Sequence, residues 1–285
     1  MLSNHPLMKS KLFQFCKQFI PPVIWNFVRG MAIGDPPKSL TYTGTFASFS
    51  EVLANCADAT NYHSEQSELG EFEGARSKLL KLESGQVPEK GPSNPRLNFL
   101  PTALSLFPQA SLNILDVGGG LGTTFIDLKF CLPTKTIEVT VVELSSIVES
   151  GRKLFQEYPG IEFVSAIPKG KERRFDVVYF GSSLQYFENY LSVLADSASL
   201  APEFIIIADT TMGPAPAFVC AQVNMGGRVI PKMVFNKLEL IEALENGKYH
   251  LVHQSVNYWP AHTFDNYEPP ARLTSHWNLV FERDA

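Results

Sequence analysis

The sequence predicts a doubly wound α/β fold, in which helices cover both faces of a mostly parallel sheet. Three observations carry this prediction. Five short apolar runs lie between residues 111 and 210, segments of helical length separate most of them, and a glycine-rich turn directly follows the first run. Alternating strands and helices produce a parallel sheet, because each crossover returns the chain to the same end of the sheet.

The predicted strands are apolar or β-branched runs bounded by turn residues. In chain order they cover residues 112–117, 137–143, 161–165, 175–180, 204–209, 249–256 and 277–281, with helices at 123–131, 146–157, 189–200 and 238–246. The last two strands have no helix between them, and such a pair is naturally antiparallel. We therefore expect seven strands, mostly parallel, with an antiparallel strand at the C-terminus.

The residues before this sheet are predicted to be largely helical. We divide the chain into an amphipathic segment at 1–35, a helical cap over the substrate at 36–110 and the main domain at 111–285. Ser48 followed by Glu51 is a capping-box pattern that begins a helix. Helices are predicted in the cap at 48–57, 68–82 and 96–107.

The N-terminal segment is basic and amphipathic. Residues 1–38 contain five Lys and Arg against one Asp, and most apolar side chains of residues 8–20 fall on one face of a helical wheel. Such a helix either docks on its own domain or a second subunit, or lies on a membrane surface. The sequence leaves dimerisation and peripheral membrane contact through residues 8–29 open. The stretch is too interrupted to span a bilayer. The cysteines show no disulfide pattern, which favours a reducing compartment, so we expect a cytoplasmic protein, free or at the inner membrane face.

Bulk composition excludes several classes of function. The chain has 285 residues, of which 45% are hydrophobic, and a net charge of −5. These values fit a globular protein and give no basic footprint for nucleic acid. The four cysteines lie far apart without a CxxC pair, so we expect neither a metal site nor a disulfide framework.

The glycine-rich turn carries the main chemical signal. Residues 116–122 read Asp-Val-Gly-Gly-Gly-Leu-Gly, after a strand and before a helix, where open parallel sheets bind their ligands. A dinucleotide site requires a third glycine at position 123, which is Thr123. An acid followed by glycines at alternate positions is instead typical of S-adenosylmethionine enzymes. The residues expected to contact that cofactor here are Asp116, Gly118, Gly119, Gly120 and Gly122.

Further cofactor contacts are predicted where the next strands end. An acid after the second strand can accept hydrogen bonds from both ribose hydroxyls, although it can also cap the following helix. The loop after the third strand suits an adenine edge, and the loop after the fourth suits the methionine part, unless both are ordinary loops. The residues concerned are Glu143 and Leu144, Ser165 and Ala166, and Gly181 and Ser182.

Several motifs together resemble a known family. They are Ile-Leu-Asp-Val-Gly-Gly-Gly-Leu-Gly at 114–122, Ser-Ser-Leu-Gln-Tyr at 182–186, Asp-Thr-Thr at 209–211 and Tyr-x-Gly-x-Phe-x-Ser-Phe at 42–49. This combination resembles methyltransferases, assigned by fold and motif, from bacterial surface-polysaccharide gene clusters for O-antigen and capsule. The resemblance spans about residues 20–245 and implies a Rossmann-like class I methyltransferase fold that uses S-adenosyl-L-methionine. It favours a small-molecule or glycan acceptor, with a sugar hydroxyl as first choice.

A hydroxyl acceptor needs a base to take its proton. The candidates are Asp209 at the end of the fifth strand, Tyr186 after the fourth, and His253 or His262 in the C-terminal part. Asp209 has the best-supported position, because strand ends on that side face the ligand crevice. The alternatives are a turn cap for Asp209 and a structural or exposed role for each histidine.

A long segment rich in glycine and proline follows the fifth strand. We predict that this segment, residues 211–231, is a lid loop that covers the acceptor pocket together with residues 40–75. Arg228 is expected to belong to that pocket.

Two other classes of function remain open. A nicotinamide-dependent oxidoreductase is disfavoured by the missing glycine and by the C-terminal strand pair. A non-catalytic scaffold of a glycan assembly complex is supported by the uncertain base and the basic N-terminal helix. A scaffold is distinguished by a turn at 118–122 that is filled by the protein's own side chains rather than open to a ligand.

Overall fold

The computed structural model describes residues 40–56, 59, 65–85, 99–170, 173–223, 229–257 and 262–284. The predicted helix at 8–20, the proposed uses of residues 8–29 and the position of Arg228 lie outside these ranges. Within them, no helix is both long and apolar enough to cross a bilayer.

The described chain contains twelve strands and seven α-helices. In chain order the strands are β1 (Leu40–Phe46), β2 (Ser111–Val117), β3 (Thr136–Val142), β4 (Ile161–Val164), β5 (Val177–Gly181), β6 (Phe204–Thr210), β7 (Met212–Gly213), β8 (Phe218–Val223), β9 (Val229–Asn236), β10 (Tyr249–Asn257), β11 (His262–Thr263) and β12 (His276–Arg283). The helices are α1 (Phe49–Asn55), α2 (Glu65–Glu83), α3 (Phe99–Ser105), α4 (Thr123–Cys131), α5 (Ser145–Leu154), α6 (Tyr190–Ser199) and α7 (Lys237–Glu245), and a 3₁₀ turn spans Leu184–Tyr186.

The main sheet has seven strands in the order β10-β12-β6-β5-β2-β3-β4. The pairs from β6 to β4 are all parallel, and β12 runs antiparallel to both β6 and β10. Strand order reverses between β2 and β5, so the switch point lies at the end of β2. The predicted fold class is confirmed: a mostly parallel seven-stranded Rossmann-like sheet with an antiparallel C-terminal strand.

Both faces of this sheet are buried, because neighbouring residues of each strand point to opposite sides. Leu115, Val178 and Ile205 pack with residues of α6 and α7. Ile114 and Ile206 belong to the opposite face, which packs against residues of α3, α4 and α5. The helices before the switch point, α3 to α5, therefore cover one face and the later helices, α6 and α7, cover the other, as in a doubly wound fold.

The helices predicted before the main sheet form, with small shifts in their ends. The capping box is confirmed at the first of them, because Ser48 Oγ accepts a hydrogen bond from Glu51 N at 3.1 Å. The Glu51 carboxylate, however, accepts from Ala47 N at 2.7 Å, one residue before the cap. The region from 36 to 110 also contains β1, so it is not helical throughout. The domain boundaries at 35 and 110 stay predictions.

A second sheet corrects the prediction of a lid loop at 211–231. Its order is β11-β1-β8-β9-β7, and β8 and β9 form an antiparallel pair within the predicted loop. Val219 and Phe235 of this pair join the core on the α6 and α7 side, whereas Cys220 and Val234 pack on the other side with Tyr42. Alternating apolar residues favour strand formation in this region. The glycines and prolines that suggested a loop lie largely at the ends of the strands.

Candidate functional site

Three glycines of the turn after β2 adopt positive φ angles. The values are 72° at Gly118, 57° at Gly120 and 71° at Gly122. A β-carbon at Gly118 would lie 2.6 Å from the Ser183 β-carbon, and one at Gly122 would lie 2.6 Å from Ile161 Cδ1. Glycine is therefore required at both positions by conformation and by packing.

Gly120 differs from these two glycines because the space beside it is open. A β-carbon there would meet no atom within 4 Å. The turn is thus not filled at this position by the described side chains, and a ligand can approach the Gly120 backbone closely. This opening disfavours the scaffold interpretation, which expects a filled turn.

Asp116 supplies a buried carboxylate under this turn. Its side chain is 1% exposed, and neither oxygen has a hydrogen bond of good geometry within the part of the chain that the structure describes. Burial raises the pKa of Asp116 from 3.8 to about 7, the nearby Thr124 side chain lowers it in part, and the Glu143 charge raises it further. The carboxylate is also close enough to Gly119 to collide with any side chain placed there. Burying a carboxylate that lacks well-formed hydrogen bonds destabilises the folded state, unless a bound ligand interacts with it.

Glu143 lies against the same turn. Its Oε1 accepts a hydrogen bond from Gly120 N at 3.2 Å, and its Oε2 accepts from Leu144 N at 2.8 Å. The second bond is the helix-capping role that the sequence left open. The first places the acid beside the open glycine, as a ribose contact requires. The Leu144 side chain is largely exposed.

The predicted adenine loop lies one strand further from the turn. Ser165 and Ala166 follow β4, and both are exposed. Glu143 N donates to Val164 O at 3.0 Å, so this loop begins beside Glu143. The contact of Ser165 and Ala166 with an adenine stays a prediction.

The segment after β5 is tied to the ends of its two neighbouring strands. Ser182 has a φ of 61°, and its backbone N–H donates to Ala208 O at 2.9 Å in β6. The Ser183 hydroxyl donates to Val117 O at 2.5 Å at the end of β2. Gln185 Nε2 donates to Ser182 O at 2.8 Å, and the buried Gln185 Oε1 lacks a described partner. Ser183 and Gln185 lie in the loop predicted to meet the methionine part of the cofactor and in the motif that carried the resemblance, but neither was named as an individual contact.

Tyr186 joins the site to the second sheet. Its hydroxyl donates to Gln222 Oε1 of β8 at 3.1 Å. Gln222 is itself buried. The second sheet therefore packs over the carboxyl end of β5, where the acceptor is expected.

Asp209 ends β6 in a crowded polar cluster. Its Oδ1 accepts from Asn257 Nδ2 at 3.0 Å and lies 3.0 Å from His276 Nδ1. Asn278 Oδ1 accepts from Asp209 N at 2.8 Å. The Asp209 carboxylate is thus occupied by its neighbours. His276 escaped the sequence analysis because it is one residue before the predicted last strand and belongs to no motif.

The other two histidine candidates have different positions. His253 lies within β10, is exposed, and stacks on the Phe99 ring with centroids 5.6 Å apart, four residues before the strand end. His253 is therefore not part of the site. His262 belongs to β11, where its backbone pairs with Leu40 of the second sheet. A catalytic role for His262 stays a prediction.

Within the described ranges, no three or more His, Cys, Asp or Glu side chains are grouped so that they could hold a metal ion.

Comparisons with known proteins return fold similarities. No protein-family model and no curated protein matches the chain. A 1,6-didemethyltoxoflavin-N1-methyltransferase from Burkholderia thailandensis is 18% identical over 80% of this chain and 95% of that one, with a TM-score of 0.49. The CcbJ methyltransferase from Streptomyces caelestis is 16% identical over 70% and 91%, with a TM-score of 0.45. The sugar N-methyltransferase KedS8 from Streptoalloteichus is 14% identical over 66% and 87%, with a TM-score of 0.44.

Similarities at this level do not assign an activity or a substrate to the chain. Sequence identity is at most 18%, and the TM-scores are below 0.5. Function has to be inferred from the chemistry of the site.

Proposed function

We propose that the protein is an S-adenosylmethionine-dependent methyltransferase that methylates a hydroxyl of a sugar or glycan precursor. The observation that carries this proposal is the open space at Gly120 combined with the buried carboxylate of Asp116, whose oxygens have no hydrogen bond of good geometry among the described residues. Both lie at the switch point of the sheet, where open α/β folds bind ligands.

The charges of the site favour a cationic nucleoside over a dinucleotide. Asp116 and Glu143 place two acids at the turn, and Glu143 raises the pKa of Asp116, which shows that their charges interact. A pyrophosphate at this turn would be repelled by an ionised Asp116, whereas an acid at the position of Glu143 binds a nucleoside ribose in both cofactor classes. A cation is attracted, and it would favour the ionised form of Asp116.

Each residue of the turn has a definite task in this proposal. The cofactor, when bound, supplies a methyl group on a positively charged sulfur that is already a good electrophile. Asp116 holds the positive charge, Glu143 accepts hydrogen bonds from the ribose hydroxyls, and Gly120 allows the close approach. The second sheet, docked on Tyr186, excludes water and holds the acceptor in line with the methyl group.

The acceptor side favours a polar substrate. Hydrogen-bonding side chains, Tyr186, Asp209 and His276, lie after β5, at the end of β6 and at the start of β12. Hydrogen-bonding side chains of this kind suit a hydroxyl-rich molecule, and the motif resemblance to surface-polysaccharide methyltransferases favours a sugar.

Calorimetric titration with S-adenosylmethionine, S-adenosylhomocysteine and NADH tests the proposal. We expect micromolar affinity for both sulfur nucleosides and none for NADH. Gly120→Arg should weaken binding by at least about 100-fold, or about 2.7 kcal/mol, because its side chain fills the open space. Gly85→Arg is the matched control, since Gly85 also has a positive φ of 65° and open space around it.

Each outcome has a clear meaning. Loss of binding in Gly120→Arg but not in Gly85→Arg supports the cofactor site. Binding of NADH alone supports an oxidoreductase. Absence of binding to either sulfur nucleoside by the folded protein overturns the proposal and favours a non-catalytic scaffold.

A further inference from the structure

A buried histidine and aspartate meet at the acceptor side of the main sheet. His276 Nδ1 lies 3.0 Å from Asp209 Oδ1, with side-chain exposures of 3% and 1%. Asp209 is the penultimate residue of β6, and His276 is the first residue of β12. Trp277 pairs with Thr210 across these strands, so the pair lies at the carboxyl end of β6.

Asp209 is held in place by residues of two neighbouring strands, β10 and β12. Asn257, at the end of β10, donates to the same oxygen as His276, and Asn278 of β12 accepts from the Asp209 backbone. Asp209 also has a φ of 51°, a left-handed conformation that costs free energy in residues other than glycine. Burying a histidine–carboxylate pair on a strained backbone is a poor way to gain stability, and such strain is concentrated at functional sites.

Contacts between strand ends connect this pair to the glycine turn. Ser182 N donates to Ala208 O, the residue before Asp209, and Ser183 donates to Val117 O, the residue before Gly118. The strands β6, β5 and β2 are neighbours, so the histidine, the segment after β5 and the turn occupy one edge. The buried Thr211 hydroxyl, without a described partner, lies two residues beyond Asp209.

The hydrogen bond determines which nitrogen of His276 can act. A neutral imidazole that donates from Nδ1 to a carboxylate carries its lone pair on Nε2. The carboxylate fixes the ring orientation and stabilises the imidazolium that forms on protonation, as in other histidine–aspartate pairs.

We propose that His276 is the catalytic base that deprotonates the acceptor hydroxyl and that Asp209 is its positioning residue. This inference rests on the proposed methyltransferase function. The acceptor O–H bond breaks and its proton moves to His276 Nε2. The oxygen forms a bond to the methyl carbon as the carbon–sulfur bond breaks, and the electron pair of that bond stays on the now neutral sulfur. The proton then leaves His276 to solvent.

Nitrogen-15 NMR of the histidine-labelled full chain tests the tautomer without an acceptor. We expect the neutral His276 ring to carry its proton on Nδ1, with Nε2 unprotonated at pH 8. The His276→Gln spectrum assigns the signal by its disappearance. A proton on Nε2 in the neutral ring, or an imidazolium throughout pH 6–9, would overturn the proposal because no lone pair would be available.

Turnover tests the catalytic role directly. The assay uses tritium-labelled S-adenosylmethionine with a panel of monosaccharides and nucleotide sugars. His276→Gln should lower kcat about 100-fold or more while the calorimetric Kd for S-adenosylmethionine stays within about twofold. His253→Gln, which changes an exposed histidine of β10, is the matched control and should retain full activity.

Chemical rescue distinguishes a base from a structural role. Added imidazole should restore part of the kcat of His276→Gly, since it can occupy the space left by the ring. Asp209→Asn should lower kcat by about tenfold or more and leave the cofactor Kd unchanged. Full activity of His276→Gln, or an equal loss of cofactor binding and turnover, would contradict the assignment. Failure of the proposed function is seen separately, as absent cofactor binding in the wild type.

Discussion

At the scale of single residues, the buried Asp116 carboxylate lowers the stability of the folded protein and is proposed to bind the cationic cofactor. Its pKa is raised by burial from 3.8 to about 7, so the folded chain holds this proton more tightly than the unfolded chain does. Between pH 3.8 and about 7, the folded state binds more protons than the unfolded state. The free energy of unfolding therefore falls as the pH rises through this range. A bound cation next to the Asp116 carboxylate would stabilise its ionised form and so offset part of this destabilisation.

Asp116→Asn should therefore stabilise the free protein and impair the site. The gain should be small at pH 4 and largest above pH 7, at most about 4 kcal/mol, because the amide has no charge to bury. The melting temperature without cofactor, measured at pH 4 and pH 8, gives the gain. Calorimetry at pH 8 should show S-adenosylmethionine binding weakened at least about tenfold. A variant that is less stable than the wild type at pH 8 would show that the Asp116 carboxylate is satisfied in the folded protein.

Residue patterns predicted the cofactor side better than the acceptor side. The 116–122 motif and Glu143 are short-range signals, since each requires only a strand end and its own turn. His276 and Asp209 are 67 residues apart and meet only because β12 pairs with β6. No local pattern marks such a pair, which is why Asp209 was predicted as a base and its partner was missed.

At the scale of elements, the link between the 3₁₀ turn and β8 determines how the second sheet is docked. The Tyr186 hydroxyl donates to Gln222 Oε1, and both groups lie where the two sheets approach each other. Hydrogen bonds of this kind contribute about 1 kcal/mol to stability. The second sheet should therefore be coupled energetically to the segment after β5.

A double-mutant cycle with Tyr186→Phe and Gln222→Leu measures that coupling. We expect an interaction free energy of about 1 kcal/mol from urea unfolding, because residues in one hydrogen bond are not additive. Ser199→Ala, in an exposed part of α6, combined with Gln222→Leu is the additive control. Additivity within about 0.3 kcal/mol for the Tyr186 pair would mean that the two sheets are not coupled through this bond.

The second sheet also shows where element prediction failed. All seven strands of the main sheet were predicted, because each contains an apolar or β-branched run, and the runs of the inner strands are buried on both faces. In β8 and β9, only alternate residues enter the main core, and Pro231 interrupts the pattern within β9 itself. Glycines and prolines at the ends of these strands then favoured a loop.

At the scale of the whole molecule, the strand order brings distant segments to one edge. The ends of β2, β3, β5 and β6 supply Asp116, Glu143, Ser182 and Asp209, although they span almost 100 residues of sequence. A ligand that bridges these ends should stabilise them together. Residues at the opposite ends of the same strands, and α7 on the outside, should be affected much less.

Hydrogen exchange with mass spectrometry can map that response. Saturating S-adenosylhomocysteine, at about 100 times its Kd, should add about 2.7 kcal/mol of stability against global unfolding. Amides that exchange by local opening should gain protection at 117–123, 143–146 and 181–187, but not in α7 or β10. Gly120→Arg under the same conditions should show no added protection, and Gly85→Arg should match the wild type. Among the amides that exchange by local opening, protection that is uniform along the chain or centred on β10 would refute the site at the glycine turn.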